Sequence, residues 1–140
     1  MQLPDVIARA QGFGSLTYLA SVTPANHPHV TPVIVAWERE QAWVMVSVTS
    51  QKASNLRQNP NGLLHFPTSE QLESLMIWCS ATLDDDVATK RRLWAGVFDY
   101  DLNAFAPGGP EESPGTAFVR LVPQRALLMS DAGLREQWRR

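Results

Sequence analysis

Residues 43–60, WVMVSVTSQKASNLRQNP, decide the fold, because their hydrophobic period changes in the middle. The first six residues are mostly apolar, and the β-branched Val44, Val46 and Val48 fall on one side of an extended chain. This alternation is typical of a strand buried on one or both faces. From residue 50 onward the alternation stops, which indicates a different element.

A short helix is predicted after this strand. Ser50 supplies a hydroxyl suited to an N-cap, and residues 51–59 carry helix-compatible side chains up to Pro60, which cannot continue a helix. The turn therefore presents the hydroxyls of Thr49 and Ser50, free backbone N–H groups and the ammonium of Lys52 at one place, which suits a phosphate. The same connection occurs in many proteins in which it binds only water, so both interpretations stay open at this point.

The composition indicates one domain spanning residues 1–140 that needs no disulfide or metal to fold. A net charge of -2 argues against broad binding to nucleic acid. The start of the chain lacks a signal-peptide pattern, and no apolar run approaches the roughly 18 residues of a membrane span, so we expect a cytoplasmic protein. The single cysteine, Cys79, lies in an apolar run and is expected in the core.

The order of the predicted elements favours a mainly β fold. Short connections join the first three strands into an antiparallel meander, and the strand at 75–83 is expected to be central. A small closed or half-closed barrel with flanking helices suits this order better than a doubly wound sheet. The predicted strands span 16–22, 29–37, 42–48, 63–66, 75–83, 116–122 and 126–129; the predicted helices span 3–10, 51–59 and 87–97; a long irregular loop spans 98–115, and a last helical turn is expected in the tail.

Two clusters of potential metal ligands are better explained without a metal. His27 and His29 flank a proline in a turn, and no Cys or Glu is spaced to complete a set with them. The acidic run 84–86 opens a predicted helix, where the helix dipole favours carboxylates. No G-x-S-x-G pattern supports a hydrolase. We therefore predict no metal site and assign no catalytic residue.

Four stretches in this order resemble the split-barrel flavin-binding proteins related to pyridoxamine 5'-phosphate oxidase, especially the general stress protein branch. They are PHVTPV (28–33), the strand into SQKASNLRQNP (50–60), SATLDDD (80–86) leading into a helix with Trp94, and FAPGGPEE (105–112) before FVRLVPQRA (118–126). The resemblance implies a six-stranded antiparallel split barrel that forms a homodimer with two FMN sites at its interface.

The resemblance also implies which residues hold the cofactor. In relatives the second strand lies along the isoalloxazine ring, the third strand and the following turn hold the ribityl phosphate, and the partner subunit adds aromatic side chains. Transferred to this chain, the ring contacts are Val30, Thr31, Pro32 and Val33, the phosphate contacts are Val46, Ser47, Ser50, Gln51 and Lys52, and the aromatic candidates are Trp78 and Trp94.

The chain departs from its relatives at the phosphate. Many relatives place arginines where Thr31 and Gln51 stand and a threonine where Val46 stands, whereas here Lys52 remains, with Arg57 one turn further. Forked guanidinium groups hold a dianionic phosphate best. The leading hypothesis is an FMN-binding oxidoreductase with an unknown small-molecule substrate. The alternatives are an F420-binding relative, since PHVTPV and KASNLR also resemble such branches, and a non-enzymatic stress-related dimer with weak or no flavin binding.

Overall fold

A computed structural model describes residues 1–131 and 133–140 and shows a mainly β protein. The strands are β1 (Leu16–Val22), β2 (Pro28–Glu38), β3 (Gln41–Ser47), β4 (Asn61–Phe66), β5 (Ser74–Asp84), β6 (Thr116–Met129) and β7 (Arg135–Arg139). The helices are α1 (Leu3–Phe13), α2 (Gln51–Gln58) and α3 (Val87–Trp94), and a 3-10 turn covers Leu102–Ala104.

The first six strands close into an antiparallel barrel. Their order is β3-β2-β1-β4-β5-β6, and pairing of β3 with β6 closes the ring. The 14-residue β6 makes closure possible, because it pairs with β3 from Thr116 to Leu121 and with β5 from Phe118 to Met129. The predicted six-stranded split barrel is therefore confirmed, as is the position of β5 between two neighbours.

Two apolar clusters stabilise the fold, one inside the barrel and one between the barrel and α3. The inward-facing side chains of the strands pack with one side of α1 and α2, and members such as Leu19, Ile77 and Leu121 have no exposed surface. On the outside of the barrel, α3 and the following loop pack on Trp43 and Phe118. Each such fully buried side chain contributes about 1.5–3 kcal/mol relative to leaving it in water.

The structure corrects the predicted C-terminal part. Pro123 does not divide two strands: β6 continues past it, because the register shifts between Trp78 and Cys79 of β5 and the resulting bulge accommodates a residue without an N–H. The predicted last helical turn is also wrong, since β7 pairs with β6 and Arg140 donates from its backbone N–H to the carbonyl of Gln124 at 2.9 Å. Arg135 and Arg139 therefore belong to a strand.

The helices differ from the prediction at their ends. α1 runs three residues longer, to Phe13, and α3 stops at Trp94 because the chain turns at Gly96 with a φ of 88°. α2 begins where predicted, after the Ser50 cap. Among the residues that the structure describes, no helix is long and apolar enough to cross a membrane.

Candidate functional site

The barrel opens where β2 and β3 separate. Their pairing ends at Val35 with Val44, and beyond this pair an open cavity of about 580 Å³ lies between the two strands. Its walls come from both strand ends, from β1, from the start of α2 and from the long loop. The lining residues are Leu16, Pro32, Val33, Ile34, Met45, Val46, Ser47, Lys52, Tyr100, Phe105 and Thr116.

The separated strand edges supply unpaired backbone groups to the cavity. The edge of β2 that points away from the cavity pairs with β1, where Val33 lies opposite Thr17. The edge of β3 that points away from the cavity pairs with β6, where Val46 lies opposite Ala117. No described strand occupies the gap between the two near edges. Pro32 lies on this unpaired edge, where its missing N–H costs nothing. A planar ligand with a polar rim can hydrogen-bond to such edges.

The turn between β3 and α2 is held in one conformation by its own hydroxyls. The Ser50 hydroxyl donates to the Ser47 carbonyl at 2.7 Å and accepts from the Ala53 N–H at 3.3 Å. The Val48 N–H donates to the Gly115 carbonyl at 2.9 Å, which ties the turn to the end of the long loop. The turn is therefore fixed by the surrounding structure before any ligand arrives.

The start of α2 directs positive charge toward the cavity. The first helical N–H groups, of Gln51 and Lys52, lack an intrahelical partner, and no described residue accepts a hydrogen bond from them. Lys52 is the only charged residue that lines the cavity, and no carboxylate of the described residues pairs with it. This end of the cavity is therefore suited to an anionic group.

The predicted site residues divide into two groups. Pro32, Val33, Val46, Ser47 and Lys52 line the cavity, and their contact with a cofactor stays a prediction. The other six residues, Val30, Thr31, Ser50, Gln51, Trp78 and Trp94, do not line this cavity.

Gln51, Thr31 and Val30 are close in sequence to lining residues but do not themselves line the cavity. The Gln51 amide donates to Asn55 Oδ1 at 2.7 Å, and Asn55 in turn donates to the Ser21 hydroxyl at 3.0 Å. Gln51 is thus engaged by a buried network. Thr31 Oγ1 is buried with no described hydrogen-bond partner, and Val30 is 61% exposed on the outer face of the barrel.

The two predicted tryptophans lie elsewhere on the protomer. The Trp78 ring lies under the Arg125 guanidinium, 4.4 Å from its centroid, on the outer face of β5. Trp94 donates from Nε1 to Asn103 Oδ1 at 3.0 Å and packs edge-on against Phe118. Their predicted contact with a cofactor of the partner subunit stays a prediction.

The most informative lining residues that the sequence did not single out are Tyr100 and Phe105. Both come from the loop after α3, and their rings meet edge to face with centroids 5.6 Å apart. Burial raises the pKa of Tyr100 above its usual 10, and the nearby Asp99 adds to this, so the phenol is neutral at physiological pH. The sequence predicted a long irregular loop here, but an irregular segment has no period from which a facing direction can be predicted.

The acidic residues before α3 have a structural role. Asp84 accepts hydrogen bonds from the Asp86 N–H at 3.0 Å and the Thr89 hydroxyl at 2.9 Å, and Asp86 caps the helix. Within residues 1–131 and 133–140 no three His, Cys, Asp or Glu side chains are grouped as a metal would require.

Comparisons with known proteins identify the fold. No family model matches the chain, and no curated protein matches it at a significant level. Its structure is similar to a protein related to general stress protein 26 of B. subtilis (pyridoxinephosphate oxidase family) from Clostridium acetobutylicum, with a TM-score of 0.81 and 12% identity over 99% of this chain and 96% of that chain.

Two further structures with this fold are named for cofactors. A pyridoxamine 5'-phosphate oxidase-related, FMN binding protein from Nostoc punctiforme has a TM-score of 0.63 and 14% identity, over 99% of this chain and 94% of that one. An F420 reductase has a TM-score of 0.61 and 19% identity, over 79% of this chain and 87% of that one. The split-barrel fold that the four sequence motifs predicted is therefore confirmed.

Proposed function

We propose that this protein binds a flavin in the cavity between β2 and β3 and serves, as a homodimer, in flavin-dependent oxidation and reduction. The single observation that supports this most strongly is the opening of the barrel beside the start of α2. There an apolar slot with unpaired strand edges ends at Lys52 and two free helical N–H groups. A flavin combines the same features, a flat ring with a polar rim and an anionic tail.

The residues present fit such a cofactor. The ring would lie along Pro32, Val33 and Val46, which line the slot. The phosphate would lie at the start of α2, where Lys52 and the N–H groups offer a point charge and directed donors. When bound, the cofactor itself supplies the hydride or electron chemistry, while the protein orients it and excludes water.

FMN is the leading candidate, and F420 is the alternative that one observation favours. Among the lining residues the positive charge is limited to Lys52, whereas a phosphomonoester carries nearly two negative charges at neutral pH. A ligand whose phosphate is a diester, as in F420, carries one charge at that position, which a single lysine balances. Both cofactors are also named among structures of the same fold.

The outer face of the barrel supports the homodimer. Tyr18 on β1 stands opposite Pro32 on β2 and His65 on β4, so their side chains share one face. Leu16, at 57% exposed, belongs to this face and also lines the cavity. A second copy bound to this face would therefore cover an apolar surface and close the cavity at the same time. The other apolar members of this face are Val30, Ile34, Leu63, Met76 and Trp78.

A visible absorption spectrum tests the cofactor. We expect protein incubated with FMN and desalted to retain absorption bands at about 370 and 450 nm, a property of the cofactor. The same procedure with F420 tests the alternative. Release of both ligands on desalting, with no binding detected at equilibrium, would leave the non-enzymatic stress-related dimer as the better hypothesis.

Light scattering tests the dimer. We expect a particle of twice the 15.6 kDa of one chain at micromolar concentration. Tyr18→Glu places a charge in the middle of the outer face and should shift the particle toward one chain, because an unpaired charge is costly at an interface. A wild-type particle of a single chain would contradict the proposal.

A further inference from the structure

The loop from residue 98 to residue 115 carries a row of aromatic rings that ends at the cavity. Phe105 meets Tyr100 edge to face, Tyr100 meets Phe98 with centroids 5.7 Å apart, and Phe98 meets the fully buried Phe118 at 5.7 Å. The row thus begins in the cluster beneath α3 and ends at the ring of Phe105, which lines the cavity and is 68% exposed. We call Tyr100 and Phe105 the aromatic wall.

Helix α3 holds this loop by three side chains. The ammonium of Lys90, itself buried, donates to the Ser113 carbonyl at 3.0 Å. Arg91 pairs with Glu111 through two hydrogen bonds, and Trp94 donates to Asn103 Oδ1 at 3.0 Å.

The turn of the loop is also tightly packed. A Cβ at Gly108 would lie 2.0 Å from the carbonyl oxygen of Glu112, so only glycine fits there. These contacts hold the backbone of the loop that carries the aromatic wall, which lowers the conformational entropy lost when a ligand contacts the wall.

The cofactor alone does not account for the aromatic wall. In the proposed arrangement the flavin ring would contact the two strands and its phosphate would pair with Lys52, the one charged side chain among the described residues that line the cavity. What remains on the loop side is an uncharged aromatic surface. Large exposed aromatic groups on a rigid support commonly serve as ligand contacts, since they provide area at low entropic cost.

We propose that Tyr100 and Phe105 bind a second ligand in this cavity, a neutral planar aromatic molecule held between the aromatic wall and the bound flavin. This inference rests on the proposed function, because it names the class of substrate for the same site. Phe105 provides an aromatic contact that a saturated molecule of equal size cannot use as well, so the wall selects for planarity as well as for hydrophobicity.

Calorimetry with menadione, a neutral planar quinone, tests the proposal on FMN-saturated protein. Phe105→Leu keeps an apolar side chain and removes the ring. We expect it to raise the Kd for menadione about two- to tenfold, the value of one aromatic pair, and to change the Kd for FMN less than about twofold. Phe105→Tyr should restore the wild-type Kd. Leu134→Ala is the control, since Leu134 is equally exposed at 68% and lines a different cavity.

The outcomes separate the two proposals. Equal menadione affinity of the wild type and Phe105→Leu, or no menadione binding to the wild type, would overturn the aromatic wall. Equal losses of menadione and FMN affinity would also overturn it, because the ring would then serve the cofactor alone. If FMN does not bind the wild type, the proposed function fails, and the menadione titration of Phe105→Leu without FMN still decides the role of the wall.

Discussion

Replacing Lys52 by methionine should separate the binding of the flavin phosphate from the binding of the flavin ring. The change keeps an unbranched, helix-compatible side chain in the first turn of α2 and removes the one charge found among the described residues that line the cavity. The Ser50 cap does not involve the lysine side chain, so α2 should persist.

The expected magnitude follows from the contacts available to the phosphate. A hydrogen bond to a charged group contributes about 1.5–3 kcal/mol, which corresponds to roughly 10- to 150-fold in affinity. Lys52 is only partly buried, and solvent screens part of its charge, so the lower half of this range is expected. Because riboflavin has no phosphate, its Kd should change less than about twofold, which is within the scatter of single-site effects.

Fluorescence titration of FMN and riboflavin into the wild type and Lys52→Met provides the assay, since flavin emission changes when the ring enters a protein. Arg139→Met, on the exposed edge strand β7, is the matched control for loss of one positive charge. Increasing salt should weaken FMN binding to the wild type more than to Lys52→Met. An equal loss of affinity for FMN and riboflavin would indicate that Lys52 contacts the ring. An unchanged affinity for FMN would contradict the proposed contact of Lys52 with the phosphate.

Three further predictions concern the support of the site. Burial raises the pKa of the Cys79 thiol, so the native protein should resist a thiol reagent at pH 8 and react only after unfolding. Tyr100 has a raised pKa, so the difference between the pH titrations of the wild type and of Tyr100→Phe should show an ionisation above pH 10. Because the unfolded state loses this proton at a lower pH than the folded state, the contribution of Tyr100 to stability should fall as the pH rises above 10. Rapid native thiol labelling, or a Tyr100 ionisation at or below pH 10, would contradict these two expectations. Lys90→Met removes the donor to the Ser113 carbonyl and should speed proteolytic cleavage within residues 98–115, and an unchanged cleavage rate would show that the other contacts of the loop suffice.

Local patterns predicted the elements that carry a strong signal of their own. The alternation of Val44 and Val46 produced β3, and the hydroxyl of Ser50 followed by Pro60 bounded α2 within one residue. Both signals are local, because side-chain direction alternates along a strand and a cap bonds within one turn. The point at which strand, turn and Lys52 meet was therefore predictable before the fold was known.

Other features depended on partners distant in the chain. The continuation of β6 through Pro123 requires the bulge opposite Trp78 and Cys79, and β7 is polar apart from Trp138, so neither has a local signature. The residues lining the cavity on its loop side, Tyr100 and Phe105, acquire their direction from contacts with α3. An irregular loop encodes no such direction by itself.

The sequence by itself determined the class of fold, the strand-turn-helix unit and the positive end of the candidate site. The tertiary structure alone decided that β2 and β3 separate beyond the pair of Val35 with Val44, and that an aromatic wall faces the resulting gap. The physical reason is that strand register is a property of the closed barrel. Six strands must satisfy their hydrogen bonds together, and the place where one pairing ends follows from all the others.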